Sequence, residues 1–290
     1  MPIYNVSINP SLIDDMVWWF DATETATINN GLVVDGDDVT SITCKKSGIV
    51  LSNTNGSTYN PKYNTRSING KNSIYFTNTQ NGSSYGYGGL SINGISTVIS
   101  QTRTIFMVYK RLSYNGEVKA GYHPLSILEL SNPIQSSING YPNINVSYYD
   151  YLPSNNYKYN YMESESPFNS PMINNNFIDN ISGESNSNTI ICNYLSSNQI
   201  INQQFESNLF NKKLYGDIPS NNFTASTIII GDISQNPYLS SDTSPYPYPP
   251  FGFHGHFCEF ILFNRNLTIT EYDGINQYLK HKWIGDYPTT

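Results

Sequence analysis

The chain has 290 residues and a net charge of −7, with only 15 Lys and Arg and no basic cluster. Binding to a phosphate backbone needs a basic surface, so we do not expect nucleic acid as a partner. No apolar run approaches the roughly 20 residues that span a bilayer, and the abundance of Asn, Ser, Tyr, Gly and Pro disfavours a helical protein.

Short apolar segments, many with a period of two, predict a succession of β-strands. The predicted strands cover residues 16–22, 31–34, 39–44, 48–52, 73–77, 88–92, 104–112, 125–130, 143–149, 188–195, 199–205, 226–232 and 256–264. Asn-Gly pairs between them, such as Asn69-Gly70 and Asn93-Gly94, suit the positive φ angles of tight hairpin turns. Many short strands joined by such turns predict an all-β, antiparallel two-sheet sandwich.

One segment near the C-terminus predicts a short helix. Thr268 and Glu271 have the spacing of a capping box, in which each side chain accepts a hydrogen bond from a backbone N–H group at the helix start. Ile275, Leu279 and Trp283 then recur every four residues and form one apolar stripe that can dock on a sheet.

Two segments differ in composition from the rest of the chain. Residues 131–187 and 237–250 are rich in Asn, Ser, Tyr and Pro and predict long loop insertions, the second with polyproline-like character. No fixed repeat or interdomain linker interrupts the chain, so we expect a single domain over residues 1–290.

The cysteines favour a reduced protein. Cys44, Cys192 and Cys258 are an odd number at wide spacing, unlike a disulfide framework or a zinc site. The first residues lack the basic and apolar regions of a signal peptide, and we therefore expect folding in a cytoplasm.

Several short motifs occur in an order that is typical of a known family. They are Trp19-Phe20-Asp21-Ala22, Asn60-Pro61-Lys62-Tyr63, Ile68-Asn69-Gly70-Lys71, the strand at 104–110, Ile228-Ile229-Ile230-Gly231, Asn264-Arg265-Asn266-Leu267 and Tyr278-Leu279-Lys280-His281-Lys282-Trp283. With them, the chain resembles the laminin-G-like jelly-roll domains of the concanavalin A-like lectin/glucanase superfamily, in the form common in structural proteins of large DNA viruses and phages. Residues 43–48 depart from the family pattern, because the family's Trp and Asp are absent there.

The resemblance implies a two-sheet antiparallel jelly roll with the helix packed at one edge. The residues that it marks as fold-defining are Trp19, Asp21, Gly231, Gly255, Glu259, Arg265, Leu267, Glu271, Tyr278, Leu279 and Trp283. Asp21 and Glu259 lie on apolar strands, where a carboxylate must be paired. We expect them to lock the fold, through hydrogen bonds to turn backbone or to a neighbour such as Arg265, rather than to act in catalysis or metal binding.

The fold hosts many functions, and the viral form of the resemblance favours a non-enzymatic virion component, associated with a capsid or a fibre. It would dock on other virion proteins or on copies of itself, and would be located in the virion after synthesis in the host cytoplasm. The alternative is a carbohydrate-binding or host-attachment module with a cell-surface glycan as partner, and the second alternative is a glycoside hydrolase of the same superfamily. Tyrosines that lie among Asn and Ser are the expected glycan or partner contacts: Tyr85, Tyr87, Tyr148, Tyr149, Tyr151, Tyr246 and Tyr248.

No catalytic residue is predicted. Glycoside hydrolases need two carboxyl groups beside the scissile bond. Among acids two residues apart, only Glu163 and Glu165 lie outside a predicted turn or helix, and their Pro-, Asn- and Ser-rich surroundings favour a solvated loop.

No cofactor is expected, and two weak metal candidates remain. Asp35, Asp37 and Asp38 cluster three carboxylates in one turn, an oxygen-rich arrangement that calcium favours, although such turns are ordinary. His254 and His256 would point to one face of a strand, as in some metal sites, or would mark a turn at the start of the last strand.

Overall fold

The computed structural model contains two antiparallel sheets that pack face to face, with a helix on the outer face of one of them. This confirms the predicted all-β, two-sheet sandwich. The structure describes residues 7–53, 60–77, 79–81, 84–86, 88–100, 103–111, 125–131, 144–150, 158–164, 190–196, 199–206, 209–215, 223–231 and 253–283.

The first sheet, sheet A, carries the candidate sites. Its strands are β1 (Met16–Asp21), β4 (Lys62–Ile68), β5 (Lys71–Phe76), β9 (Thr104–Arg111), β13 (Ile190–Ser196), β14 (Gln199–Glu206), β15 (Leu209–Tyr215) and β17 (Gly255–Phe263). They follow the order β15-β14-β13-β9-β17-β5-β4, and β1 also pairs with β17.

The second sheet, sheet B, covers the inner face of sheet A. Its strands are β2 (Ser41–Thr43), β3 (Val50–Asn53), β8 (Leu90–Ile99), β10 (Leu125–Ser131), β11 (Ile144–Asp150), β12 (Lys158–Ser164) and β16 (Phe223–Ile230), in the order β12-β11-β10-β16-β8-β3-β2. A separate hairpin joins β6 (Thr79–Asn81) and β7 (Ser84–Gly86). Strands β11 and β12 lie in the segment predicted as an insertion, so part of that segment extends sheet B.

The helix α1 (Ile269–Trp283) begins at the predicted capping box. The backbone N–H of Thr268 donates to Glu271 Oε2 at 2.8 Å, and the backbone N–H of Glu271 donates to Thr268 Oγ1 at 3.3 Å. Short 3-10 helices cover Pro10–Leu12, Thr25–Thr27 and Asn29–Gly31, and residues 31–34 are not the predicted strand. In the part of the chain that the structure describes, no helix has the length and apolar character needed to cross a bilayer.

Two apolar layers hold these elements together. Between the sheets lie residues such as Trp18 and Phe260, and between sheet A and α1 lie residues such as Phe106, Ile261 and Leu279. Almost every residue of β17 is buried because the strand is covered on both faces. The helix therefore lies on the outer face of sheet A, over β9 and β17, and not at a sheet edge as the resemblance implied.

One predicted turn is a strand irregularity instead. Asn93 and Gly94 lie within β8, where Gly94 has a φ of +79°. Ala225 pairs with Thr97 and Thr227 pairs with Asn93, so β8 has extra residues between two register positions. A glycine at positive φ inside a strand is typical of such a bulge. The prediction of a turn at Asn93-Gly94 was wrong because the positive φ of Gly94 belongs to this bulge.

Candidate functional site

Two polar groups on the outer face of sheet A are candidates, one under α1 and one beyond it. The first, here called the carboxylate cluster, centres on Asp21 of β1 and Glu259 of β17, which are cross-strand partners and are 2% and 1% exposed. The register of β17 against β9 shifts between Phe257 and Glu259. This bulge directs Glu259 towards α1 and away from the core between the sheets.

Indole and ammonium groups are among the donors to the carboxylate cluster. The Nε1 groups of Trp19 and Trp283 each donate to Glu259 at 2.7 Å. The Nζ atom of Lys282 lies 2.7 Å from Asp21 Oδ2 and 2.9 Å from Glu259 Oε2. One lysine of α1 thus bridges two acids of sheet A.

The remaining lone pairs of the two carboxylates are also occupied. The backbone N–H and the hydroxyl of Thr23 donate to Asp21 Oδ1 at 3.0 and 2.7 Å, and Lys45 donates to Oδ2 at 3.2 Å. The hydroxyl of Tyr278 donates to Glu259 Oε1 at 3.0 Å.

Charge and burial make the carboxylate cluster a structural element. Burial raises the pKa of Asp21, but the ammonium groups of Lys282 and Lys45 outweigh it and hold that pKa below its usual value. Burial, together with the negative charge of Asp21, raises the pKa of Glu259. Because the two carboxylates are buried and every oxygen is bonded, the carboxylate cluster ties β1, β17 and α1 together and leaves no atom for a substrate.

Arg265, considered from the sequence as a partner for these acids, binds elsewhere. Its two terminal nitrogens donate to the carboxylate of Glu271 at 2.8 and 2.6 Å. This hydrogen-bonded ion pair lowers the pKa of Glu271 to about 2 and joins the chain before α1 to the first turn of the helix.

The other residues predicted as fold-defining lie at close-packed positions. Leu267 and Leu279 belong to the apolar layer under α1. Gly231 follows β16 with a φ of +87°, and a Cβ atom there would collide with the ring of Phe76. Gly255 begins β17 with a φ of +153°, so both glycines adopt angles that L side chains rarely accept.

The three carboxylates of the turn predicted as a calcium candidate bond to separate partners and do not converge on one point. Asp35 accepts hydrogen bonds from Thr65 at 2.6 and 2.9 Å, Asp37 accepts a backbone N–H of its own turn at 2.9 Å, and Asp38 pairs with Lys62. Across the described ranges, no group of three or more His, Cys, Asp or Glu is arranged to hold a metal ion.

The second candidate, here called the histidine–tyrosine patch, is formed by Tyr75 on β5 and by His254 and His256 at the start of β17. All three side chains are partly exposed, and the two imidazole centroids lie 5.9 and 5.1 Å from the Tyr75 ring. Tyr75 and His256 are cross-strand partners. Their chain neighbours Ile74 and Phe257 are buried between the sheets, so the patch lies on the outer face.

A chain of hydroxyl groups holds the His256 ring in place. Ser73 Oγ lies 2.8 Å from His256 Nδ1 and 2.7 Å from Ser67 Oγ, and the Ser67 hydroxyl donates to the backbone carbonyl of Asn64. Since the Ser67 proton is used in that last bond, Ser73 donates to Ser67 and His256 Nδ1 donates to Ser73. The Nε2 atom of His256 is then a hydrogen-bond acceptor.

The surroundings keep His256 neutral. Burial, together with the positive charges of Lys110 and His254, lowers the pKa of His256 to about 4. The two histidines, considered from the sequence as metal ligands or as a turn at the start of the last strand, both contact the ring of Tyr75. Tyr75 is not among the contact residues predicted from the sequence, although the alternation of the predicted strand 73–77 is a signal that could have found it.

The tyrosines predicted as contact residues are only partly covered by the structure. Tyr87, Tyr151, Tyr246 and Tyr248 lie outside the described residues. Tyr85 lies in β7 opposite Gln80, and Tyr148 and Tyr149 lie in β11 opposite Asn160 and Tyr159.

Of the two acids considered for glycoside hydrolysis, the structure describes only Glu163. Glu163 lies in β12 opposite Asn145, where the sequence predicted a loop. Glu165 lies outside the described residues.

Comparison with known proteins gives matches at the level of structure only. No protein-family model matches the chain, and no curated protein matches it either. Domain 4 of an extracellular GH43 arabinanase from Geobacillus stearothermophilus, in complex with arabinotriose, matches with a TM-score of 0.47 and 11% identity over 91% of this chain and 98% of that chain. A GH54 α-L-arabinofuranosidase matches with a TM-score of 0.49 and 12% identity over 86% of this chain. The sialidase of Trypanosoma rangeli matches with a TM-score of 0.38 and 11% identity over 95% of this chain.

The chain spans 51% of the arabinofuranosidase chain and 34% of the sialidase chain. The prediction that the protein is not an enzyme is contradicted by these neighbours, because they are glycoside hydrolases and a sialidase. With identities of 11–12% and TM-scores below 0.5, these matches assign neither an activity nor a reaction to this chain. The neighbours give no support to the virion context.

Proposed function

We propose that the protein binds carbohydrate and that the histidine–tyrosine patch is the contact site. The observation that carries the proposal is the partly exposed ring of Tyr75, which contacts the imidazoles of both His254 and His256. An aromatic ring packs on the apolar face of a sugar, while imidazole nitrogens exchange hydrogen bonds with its hydroxyl groups.

The support behind the patch favours recognition by a preformed surface. Tyr75 and His256 lie on the neighbouring strands β5 and β17, both flanked by further strands of sheet A, and the hydroxyl of Ser73, which is fully buried, bonds to the His256 ring. Side chains that are already ordered lose little conformational entropy when a ligand binds.

A glycan array tests the proposal, with the wild-type protein and Tyr75→Ala displayed as oligomers so that weak binding is detected. We expect Tyr75→Ala to abolish the glycan binding of the wild-type protein. Leu32→Ala is the control, because Leu32 is 83% exposed and lies outside the patch. The proposal is rejected if the wild-type protein binds no glycan, or if Tyr75→Ala binds as the wild type does.

The sequence resemblance supports finer proposals. They are membership of the laminin-G-like group of the concanavalin A-like superfamily, a single domain over residues 1–290, and a place in a virion as a capsid-associated or fibre protein. Glycan binding is compatible with that place, because a particle presents a weak site in many copies. Mass spectrometry of purified particles tests the location, and absence of the chain from particles would overturn it.

A further inference from the structure

The histidine–tyrosine patch belongs to a longer row of residues that crosses sheet A. Lys62 on β4 pairs with Tyr75 on β5, Tyr75 pairs with His256 on β17, and His256 pairs with Lys110 on β9. Adjacent strands lie about 4.8 Å apart, so this cross-strand row is about 14 Å long. Its length fits a short oligosaccharide better than a single sugar ring.

The four side chains of the cross-strand row share the outer face of the sheet. Each of the four has a chain neighbour that is buried between the two sheets. These neighbours are Tyr63, Ile74, Phe257 and Tyr109. Because side chains alternate along a strand, the row itself lies on the opposite face. Each member is partly exposed.

The two ends of the cross-strand row carry lysines in different electrostatic settings. Lys62 pairs with Asp38 at the sheet edge. No described acidic side chain pairs with Lys110, and its charge contributes to the lowered pKa of His256. On a protein with a net charge of −7, a cation that pairs with no described carboxylate and lies one strand from His256 is a local attraction for an anionic group.

We propose that the ligand is an extended acidic oligosaccharide that lies along the cross-strand row. One sugar ring packs on Tyr75, a sugar hydroxyl donates to His256 Nε2, and a carboxylate or sulfate group pairs with Lys110. This inference rests on the proposed carbohydrate-binding function and adds the class of glycan. A neutral sugar would use Tyr75 and His256 alone, so Lys110 determines the preference for acidic ligands.

Paired oligosaccharides test the preference. Uronate-containing and sulfated oligosaccharides are each compared with their methyl-esterified or desulfated counterparts, by titration calorimetry with wild-type protein and Lys110→Gln. We expect the acidic member to bind about tenfold more tightly, which corresponds to about 1.4 kcal/mol. Lys110→Gln should remove this advantage and leave the affinity for the neutral member unchanged. Raising the salt from about 50 mM to about 500 mM should weaken only the acidic member.

The controls separate this inference from the proposed function. Lys46→Gln changes an exposed lysine outside the row and should bind as the wild type does, and circular dichroism checks the fold of each variant. Equal binding of acidic and neutral members, abolished by Tyr75→Ala, would overturn the acidic preference and retain carbohydrate binding. A preference that survives Lys110→Gln would also overturn it. Absence of binding to every oligosaccharide would overturn both.

Discussion

The carboxylate cluster and the cross-strand row lie on the same face of the same sheet, and on β17 only Phe257 and Cys258 separate Glu259 from His256. The cluster is covered by α1, and its buried acids are bonded on every oxygen. The row lies beyond the helix and stays partly exposed. The difference shows that cover by one helix decides whether charged groups on a sheet stabilise the fold or remain available for a ligand.

The difference between the carboxylate cluster and the cross-strand row is clearest in the contacts of one lysine from each. Lys282 lies within 2.9 Å of two buried carboxylates, whereas Lys110 pairs with no acid of the described residues. The same substitution at both positions therefore separates a structural role from a recognition role.

Lys282→Met should have the largest effect. It leaves Asp21 and Glu259 buried side by side as like charges, and we expect the free energy of unfolding to fall by about 3–5 kcal/mol. Urea denaturation followed by tryptophan fluorescence measures it. A loss below about 1 kcal/mol would show that the carboxylate cluster does not need the ammonium group of Lys282.

Trp283→Phe should have the next largest effect. The phenyl ring keeps most of the apolar packing under α1, but the Nε1 donor to Glu259 is lost. A hydrogen bond to a charged group contributes about 1.5–3 kcal/mol, and Lys282 still pairs with the same oxygen, so the loss should be smaller than for Lys282→Met. A loss as large as that of Lys282→Met, measured in the same urea series, would contradict this order.

The pH dependence of stability should report on His256. Its pKa falls from 6.5 to about 4 on folding, so between these values the unfolded state binds the extra proton and stability decreases as the pH falls. We expect a loss of about 1–2 kcal/mol from neutral pH to about pH 4.5, after allowance for partial exposure. His256→Gln should lessen this slope, whereas Leu32→Ala, at a position that is 83% exposed and does not titrate, should retain it. Identical slopes in wild type and His256→Gln would refute the assignment.

Lys110→Met should have the smallest effect on stability. A surface substitution away from a structural contact changes the unfolding free energy by about 0.5 kcal/mol or less, and the same urea series as for Lys282→Met measures it. A loss approaching that of Lys282→Met would mean that both regions of sheet A serve the fold.

Local patterns made most of the fold predictable. The capping box of Thr268 and Glu271, and the apolar stripe through Ile275 and Leu279, lie within one segment, so helix α1 followed from spacing alone. Alternation likewise located most strands. The Asn93-Gly94 bulge was not predictable, because the same dipeptide suits a turn and a bulge.

The candidate site depends on strand register, which the sequence does not specify. Asp21 and Glu259 were singled out, but their contact with each other requires the pairing of β1 with β17. Tyr75 gains its role from two neighbouring strands that bring His256 beside it and Lys110 one strand further. The predicted contact tyrosines were those in Asn- and Ser-rich segments, so Tyr75, which lies on a regular strand, was not among them.

The bulge at Cys258 changes which face of sheet A the following side chains of β17 occupy. In an uninterrupted strand, His256 and Glu259 would have opposite phase and point to opposite sides. The extra residue places His256 and Glu259 on the same face of sheet A. One strand therefore carries a partly exposed residue of the cross-strand row and, three residues later, a buried carboxylate of the carboxylate cluster. Without the bulge, regular alternation of the same residues would turn the carboxylate of Glu259 into the apolar interior between the sheets and Phe260 out of it.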